Sequence, residues 1–183
     1  MENTNTLSAV TLKTLTWDSH KRAESTQLMQ QLLKNQISPE LYCDYLYVKY
    51  CIFRTIEERI VFLESDLPRA NNAFLDWQEM SRSMPPALSS IEEYMTHLRE
   101  VSADQLWAHV YVQYLAPLYG GQLIRKIIGE HFPTRHLQFT APGQCIAEVR
   151  SHETLDLADE ANIAFERTMK IYEDLYNSHQ SNS

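Results

Sequence analysis

The chain has 183 residues, a hydrophobic fraction of 44% and a formal net charge of -8, which predicts one sizeable core and a single domain over residues 1–183. The acidic balance and the lack of a basic run argue against nucleic acid as a partner, because phosphate binding depends on clustered Lys and Arg. No apolar run approaches the roughly 20 residues of a membrane span, and the N-terminal residues lack a signal-peptide pattern, so we expect a cytoplasmic protein without membrane insertion.

Apolar residues recur at helical spacing along most of the sequence, and only 4 glycines are present. This pattern predicts an all-α fold, a multi-helix bundle. Ser38 and Pro39 supply an N-cap and a first-turn proline for the second helix. The predicted helices cover about residues 7–34, 39–64, 70–82, 88–100, 103–131 and 152–176. A connector over residues 132–145 and a polar, frayed tail over about 177–183 complete the prediction.

The first predicted helix contains a histidine between two charged residues. Helical geometry places Lys13, His20 and Glu24 on nearly one stripe. An imidazole on a helix can present one nitrogen to a metal ion while a carboxylate holds the proton of the other. Judged on the helix alone, a half-buried surface histidine with solvated neighbours is the favoured interpretation.

The long helix over 103–131 is interrupted by Pro117 and by the pair Gly120-Gly121. Two glycines inside a helix cost about 1 kcal/mol each relative to alanine. Missing Cβ atoms allow a flat ligand to approach the backbone, and they also allow a bend. A simple Pro-Gly kink or close helix packing explains the same pattern, so both interpretations stay open at this point.

Together the two segments resemble the heme oxygenase family, and the resemblance covers most of the chain. The family's proximal histidine lies in an HxxAE motif, which is matched here from His20 to Glu24 and followed by Met29 at the family's spacing. The family's distal helix carries YLGDLSGGQ, which resembles the segment from Tyr114 to Gln122. The last helix, with Phe165, is similar to the family's closing helix, and Glu57 and Glu58 correspond to a family acidic pair.

The resemblance implies that heme lies between the first helix and the bent helix, with His20 as the ligand of the iron. It places Lys13, Tyr111 and Arg150 near the heme propionates, where cations and hydroxyls are suitable donors. Ile146 occupies a further propionate position that is basic in the family. The implied reaction cleaves heme, which is both substrate and cofactor, to biliverdin, carbon monoxide and ferrous iron. It uses O2 and electrons from an external reductase or ferredoxin, since no nucleotide-binding motif occurs in the chain.

One position departs from the family in a way that affects the mechanism. The distal aspartate of the family, which organises water and directs attack onto the porphyrin edge, corresponds to Pro117. Proline has neither an acidic side chain nor a backbone N–H. A hydroxyl of Tyr111, Tyr114 or Tyr119, or the carbonyl of Gln113, is expected to hold a water instead.

Three alternatives remain open from the sequence. A carrier, sensor or peroxidase-like protein can keep the proximal histidine and lack ring opening. A relative with a di-iron centre or a pyrimidine-like substrate is disfavoured, because Glu92 and Glu93 miss the ExxH spacing to His97. A pure interaction module leaves the glycine pair unexplained. Another histidine, His109, points away from Tyr111 on the helix and is expected to have a surface or packing role.

Overall fold

The computed structural model describes residues 10–80 and 84–181. In these residues the chain forms ten α-helices and two short 3₁₀ turns, Arg135–Leu137 and Leu155–Leu157, with no strand, so the all-α prediction is confirmed. The helices are α1 Leu12–Leu15, α2 Trp17–Glu24, α3 Gln27–Leu33, α4 Pro39–Glu57, α5 Ala70–Glu79, α6 Ser89–Glu100, α7 Ala103–Tyr119, α8 Gly121–Ile128, α9 Pro142–Ser151 and α10 Ala158–Gln180.

The prediction of one first helix over 7–34 is wrong, because the chain forms three short helices there. Its predicted start at residue 7 lies outside the described residues. Hydroxyl side chains explain the interruptions: Thr16 donates to the carbonyl of Leu12, and Ser25 and Thr26 donate to the preceding turn. Such local bonds compete with the helical ladder and favour a break.

The second helix begins as predicted, since the Ser38 hydroxyl accepts a hydrogen bond from the Leu41 N–H at 3.2 Å. It ends at Glu57, however, and not near residue 64. The Glu57 carboxylate accepts hydrogen bonds from the backbone N–H groups of Arg69 and Ala70, at the start of α5. The chain therefore loops back after α4 instead of continuing its helix.

The interruption of the long helix is confirmed, because α7 ends at Tyr119 and α8 begins at Gly121. Pro117 lies inside α7, one turn before the junction. The short helices predicted around 70–82 and 88–100 are also present as α5 and α6. The predicted end of α5, near residue 82, lies outside the described residues.

The C-terminal prediction needs two corrections. Part of the predicted connector over 132–145, together with the residues that follow, forms α9, because Pro142 occupies the first turn of a helix, where proline is tolerated. The last helix begins at Ala158 instead of residue 152, and it continues through the predicted tail to Gln180. Its last turn is anchored by His179, whose Nε2 lies 2.8 Å from Asp44 Oδ2.

Helices α4, α7 and α10 contact one another, and α2 and α3 pack against α10. Helix α8 contacts both α7 and α3. Residues of α2 and of the α7–α8 junction line the same space between the helices. No helix in the described ranges has the length and apolar character that crossing a membrane requires.

Candidate functional site

A cavity of about 600 Å³ lies among the helices, within the range of about 300–1,000 Å³ that is usual for small-molecule sites. Its walls come from α1–α4, from α7–α10 and from the 3₁₀ turn at Arg135–Leu137. Most of the predicted site residues line it, namely Lys13, His20, Glu24, Met29, Tyr111, Tyr119, Gly120, Arg150 and Phe165. Residues distant in the sequence are thus brought to one space.

His20 lies on α2 at the edge of the cavity, with a side chain that is 41% exposed. Its Nε2 is 3.6 Å from Glu24 Oε1, and its Nδ1 is buried without a hydrogen-bond partner. The ring stacks on Trp17 at 5.7 Å and meets the edge of Phe165 at 5.9 Å. The imidazole is held by aromatic contacts, while its hydrogen-bonding capacity remains unused among the described residues.

The two glycines have different surroundings. A Cβ added at Gly120, which lines the cavity, would find within 4 Å only the backbone oxygen of Ala116, at 3.3 Å. A Cβ added at Gly121 would lie 3.2 Å from Leu137 Cδ2 and 3.5 Å from Pro117 Cβ. Gly120 therefore keeps the cavity wall open, whereas Gly121 allows close packing and does not line the cavity.

Tyr114, one of the predicted site residues, also lies outside the cavity. Its hydroxyl donates to Glu57 Oε1 at 2.9 Å, and its ring packs against Phe53 and Phe62. Burial, followed by the charge of Glu57, raises the pKa of Tyr114 well above its usual value. Tyr114 is therefore paired with the half-buried Glu57 of α4 and does not line the cavity.

Hydroxyl and cationic groups gather at another part of the cavity wall. Arg150 Nε donates to the Tyr119 hydroxyl at 3.0 Å. The Tyr111 hydroxyl lies 3.5 Å from that of Thr16, and Lys13 Nζ lies 5.7 Å from the centre of the Trp17 ring. These donors suit a ligand with carboxylate groups. Ile146, at the further family position, packs against the apolar core instead.

Sequence reasoning missed the polar inner wall of the cavity. Lys49 lines the cavity, is only 5% exposed, and donates from Nζ to Gln113 Oε1 at 2.8 Å. Burial lowers the pKa of Lys49 to about 7. A signal was available, because Lys49 shares the buried face of α4 with Ile52 and Phe53.

A second missed group in this wall is His136. Its Nδ1 lies 2.8 Å from Asp76 Oδ2, which also accepts a hydrogen bond from the His136 backbone N–H at 2.9 Å. Its Nε2 is buried without a partner. Burial lowers the pKa of His136, so the ring is neutral near pH 7. The residue was assigned to a featureless connector, and nothing local indicated its burial.

Comparison with known proteins gives a consistent result. A family model described as heme oxygenase matches residues 6–144. Heme oxygenase 2 of Rattus norvegicus is 23% identical over 90% of this chain and 64% of its own length. The heme oxygenase of Takifugu rubripes is 28% identical over 63% of this chain and 48% of its own. The aligned part of the chain thus spans 64% and 48% of the lengths of these relatives.

Solved structures share the fold. The heme oxygenase of Leptospira interrogans superposes with a TM-score of 0.77 at 21% identity, covering 89% of this chain and 97% of that one. Heme oxygenase-1 of the cyanobacterium Synechocystis, solved in complex with heme, superposes with a TM-score of 0.75 at 22% identity, covering 91% of each chain. Both proteins contain the helical arrangement described above.

Proposed function

The chain belongs to the heme oxygenase family, and we propose that it binds heme in the cavity through His20 and cleaves it to biliverdin, carbon monoxide and ferrous iron. The observation that carries this proposal is that His20 on α2 and Gly120 after α7 line one cavity. An imidazole can ligate a metal ion, and a backbone without Cβ allows a flat ligand to approach it closely.

The residues present fit such a ligand. The cavity has the required order of size, and no side chain fills the space beside Gly120. The Nδ1 atom of His20 is buried and has no protein partner, so the imidazole has a nitrogen that no protein group occupies. Glu24 is close enough to orient the ring by holding the proton of the other nitrogen.

Lys13, Arg150, Tyr111 and Tyr119 would hold the two propionates by charge-assisted hydrogen bonds. Three of them are already near one another, because Arg150 bonds to Tyr119 and its charge acts on Tyr111. These donors would fix how the porphyrin ring is rotated within its own plane. The rotation in turn decides which edge of the porphyrin faces the inner wall.

Heme, when bound, supplies both the iron that activates O2 and the ring that is opened. The protein's tasks are to orient the ring, exclude bulk water and supply protons. Electrons would come from a separate reductase or ferredoxin, because the sequence contains no GxGxxG or GxxxxGK motif.

Pro117 cannot hold or deliver a proton, so another group on this side of the cavity must do so. Lys49 is suited to this role, because its pKa of about 7 lets Nζ carry an exchangeable proton at neutral pH. Gln113 Oε1 fixes the position of that nitrogen. The unpaired Nε2 of His136 offers an acceptor in the same wall, and a water between these groups would take the place of the family's carboxylate-bound water.

The proposal is tested by mixing the purified protein with hemin, recording the absorption spectrum, and adding ascorbate or a reductase under air. We expect one equivalent of hemin to bind with the spectrum of a histidine-ligated iron. Biliverdin should then form. Failure of hemin to bind would overturn the proposal as a whole.

A non-catalytic or peroxidase-like heme protein is the second candidate, and Pro117 is the observation that favours it. The same assay separates the two functions. A histidine-ligated spectrum without biliverdin would identify a carrier, a sensor or a peroxidase-like protein on this fold.

A further inference from the structure

Away from the cavity, three chemically suitable side chains from different helices converge. They are His97 on α6, His109 on α7 and Glu160 on α10. The Nε2 atoms of His97 and His109 lie 2.5 Å and 2.9 Å from the same oxygen, Glu160 Oε1. One ligand atom from each residue lies within 4.8 Å of the other two. None of the three lines the cavity described above.

The cluster is buried and preoriented. His109 is fully buried, and its Nδ1 lies 3.0 Å from the Tyr94 hydroxyl. A partner on Nδ1 fixes the ring and directs Nε2 toward Glu160, as outer ligands do at metal sites. Burial lowers the pKa of His109 to about 4, so its ring is neutral at pH 7. Burial alone would raise the pKa of Glu160, but hydrogen bonds from both histidines hold it below its usual value.

The entrance to the cluster favours a cation. A recess of about 380 Å³ opens beside His97, and its lining contains Glu92, Glu93, Glu100 and Arg167. Three carboxylates and one guanidinium thus line the recess, and His97 connects it to Glu160. The local field therefore attracts positive ions despite Arg167.

We propose that His97, His109 and Glu160 form a binding site for a divalent transition-metal ion such as Zn²⁺. Two imidazoles and one carboxylate are a ligand set that zinc uses when its fourth position stays open. With the ion bound to Nε2, each neutral imidazole would carry its one proton on Nδ1, and that of His109 would donate to the Tyr94 hydroxyl 3.0 Å away. The fourth position would be open to water. Binding would join α6, α7 and α10 at one point.

The sequence pattern hid this site. Neither Glu92 nor Glu93 has the ExxH spacing to His97 that di-iron helical sites use, which disfavoured a di-iron centre. The carboxylate comes instead from Glu160, 63 residues further along the chain. The inference is independent of heme binding, since it uses none of the residues assigned to heme.

The probe is Zn²⁺ itself, titrated by calorimetry into the full chain after treatment with a chelator. We expect one equivalent to bind and to raise the melting temperature, because an ion that binds only the folded state stabilises it. His97→Ala removes one of the three ligands and should weaken Zn²⁺ binding at least tenfold, with a smaller rise in melting temperature. Its side chain is 24% exposed, so this variant is expected to fold. Glu160→Gln should weaken binding similarly.

Two control variants locate the ion. His131→Ala removes an exposed histidine outside the cluster and should leave Zn²⁺ affinity unchanged. His20→Ala should also leave it unchanged, which excludes the His20–Glu24 pair as the binding site. No binding of Zn²⁺ to the unmodified protein would show a hydrogen-bonded cluster only, and a loss of less than tenfold in His97→Ala would place the ion elsewhere; either result would overturn the proposal.

Discussion

Lys49 donates a hydrogen bond from Nζ to Oε1 of Gln113 across 2.8 Å, and both residues line the cavity. Lys49 belongs to α4 and Gln113 to α7, so the bond joins two central helices. Gln113 Nε2 in turn donates to Thr168 on α10 at 2.7 Å. The lysine is therefore fixed in place in the lining of the cavity, to which Pro117 contributes no acidic group.

The first prediction concerns turnover. Replacing Lys49 by methionine keeps the length of the side chain and removes the exchangeable proton. We expect the rate of biliverdin formation to fall about 100-fold, the lower end of the usual effect of a general acid. Hemin affinity should change less than twofold. Lys170→Met, on the exposed face of α10, is the matched control, and equal turnover in the two variants would remove Lys49 from the mechanism.

The second prediction concerns stability and pH. Burial lowers the pKa of Lys49 from 10.5 to about 7, so between these values the unfolded chain binds more protons than the folded one. The free energy of unfolding contributed by this group must then rise with pH, by about 1.4 kcal/mol per unit. We measure the free energy of unfolding by urea at pH 7.5 and at pH 9. From the lower to the higher pH it should increase by roughly 2 kcal/mol more in the unmodified protein than in Lys49→Met. Parallel changes in the two proteins would mean that Lys49 is solvated.

The third prediction separates the two glycines. Gly120→Leu places a side chain at the open wall and should lower hemin affinity at least tenfold with little change in melting temperature. Gly121→Leu instead presses on Leu137 and should destabilise the fold by about 1–3 kcal/mol. Hemin titration and thermal unfolding of both variants test this. The account of the glycine pair fails if the two variants behave alike.

The helix boundaries that could be predicted from the sequence are those with a local signal. Ser38 and Pro39 marked the start of α4, and Pro117 with the glycine pair marked the break after α7. The breaks that divide α1, α2 and α3 depend on hydroxyl bonds such as that of Thr16, which compete evenly with helix formation and are not decided by pattern alone. Helix α9 was missed because Pro142 suits a loop and a first helical turn equally well.

The residues of the candidate site also differ in whether the sequence indicated them. His20 and Gly120 could be found because they lie in motifs that resemble a known family. Lys49 had only the signal of its position on the buried face of α4, and His136 had none, because its burial is set by packing between distant segments. His136 shows this most clearly, because Asp76, which holds it, lies 60 residues earlier in the chain.

The fourth prediction tests the carboxylate anchors. Arg150→Gln keeps a polar side chain but removes the charge next to Tyr119. Because the Arg150 side chain is 45% exposed, we expect a loss of only about three- to tenfold in hemin affinity. Hemin dimethyl ester, which lacks free carboxylates, should bind the unmodified protein and the variant equally well. A similar loss with the ester would assign Arg150 to packing and not to propionate binding.

The central claim is that the His20 imidazole ligates the heme iron, and rescue by exogenous imidazole tests it most directly. His20→Ala loaded with hemin should lose the histidine-ligated spectrum, and added imidazole should restore it by occupying the space left by the side chain. His136→Ala, which removes the other imidazole of the cavity wall, should keep the original spectrum without rescue. An unchanged spectrum in His20→Ala, or loss of the signature in His136→Ala alone, would contradict the claim.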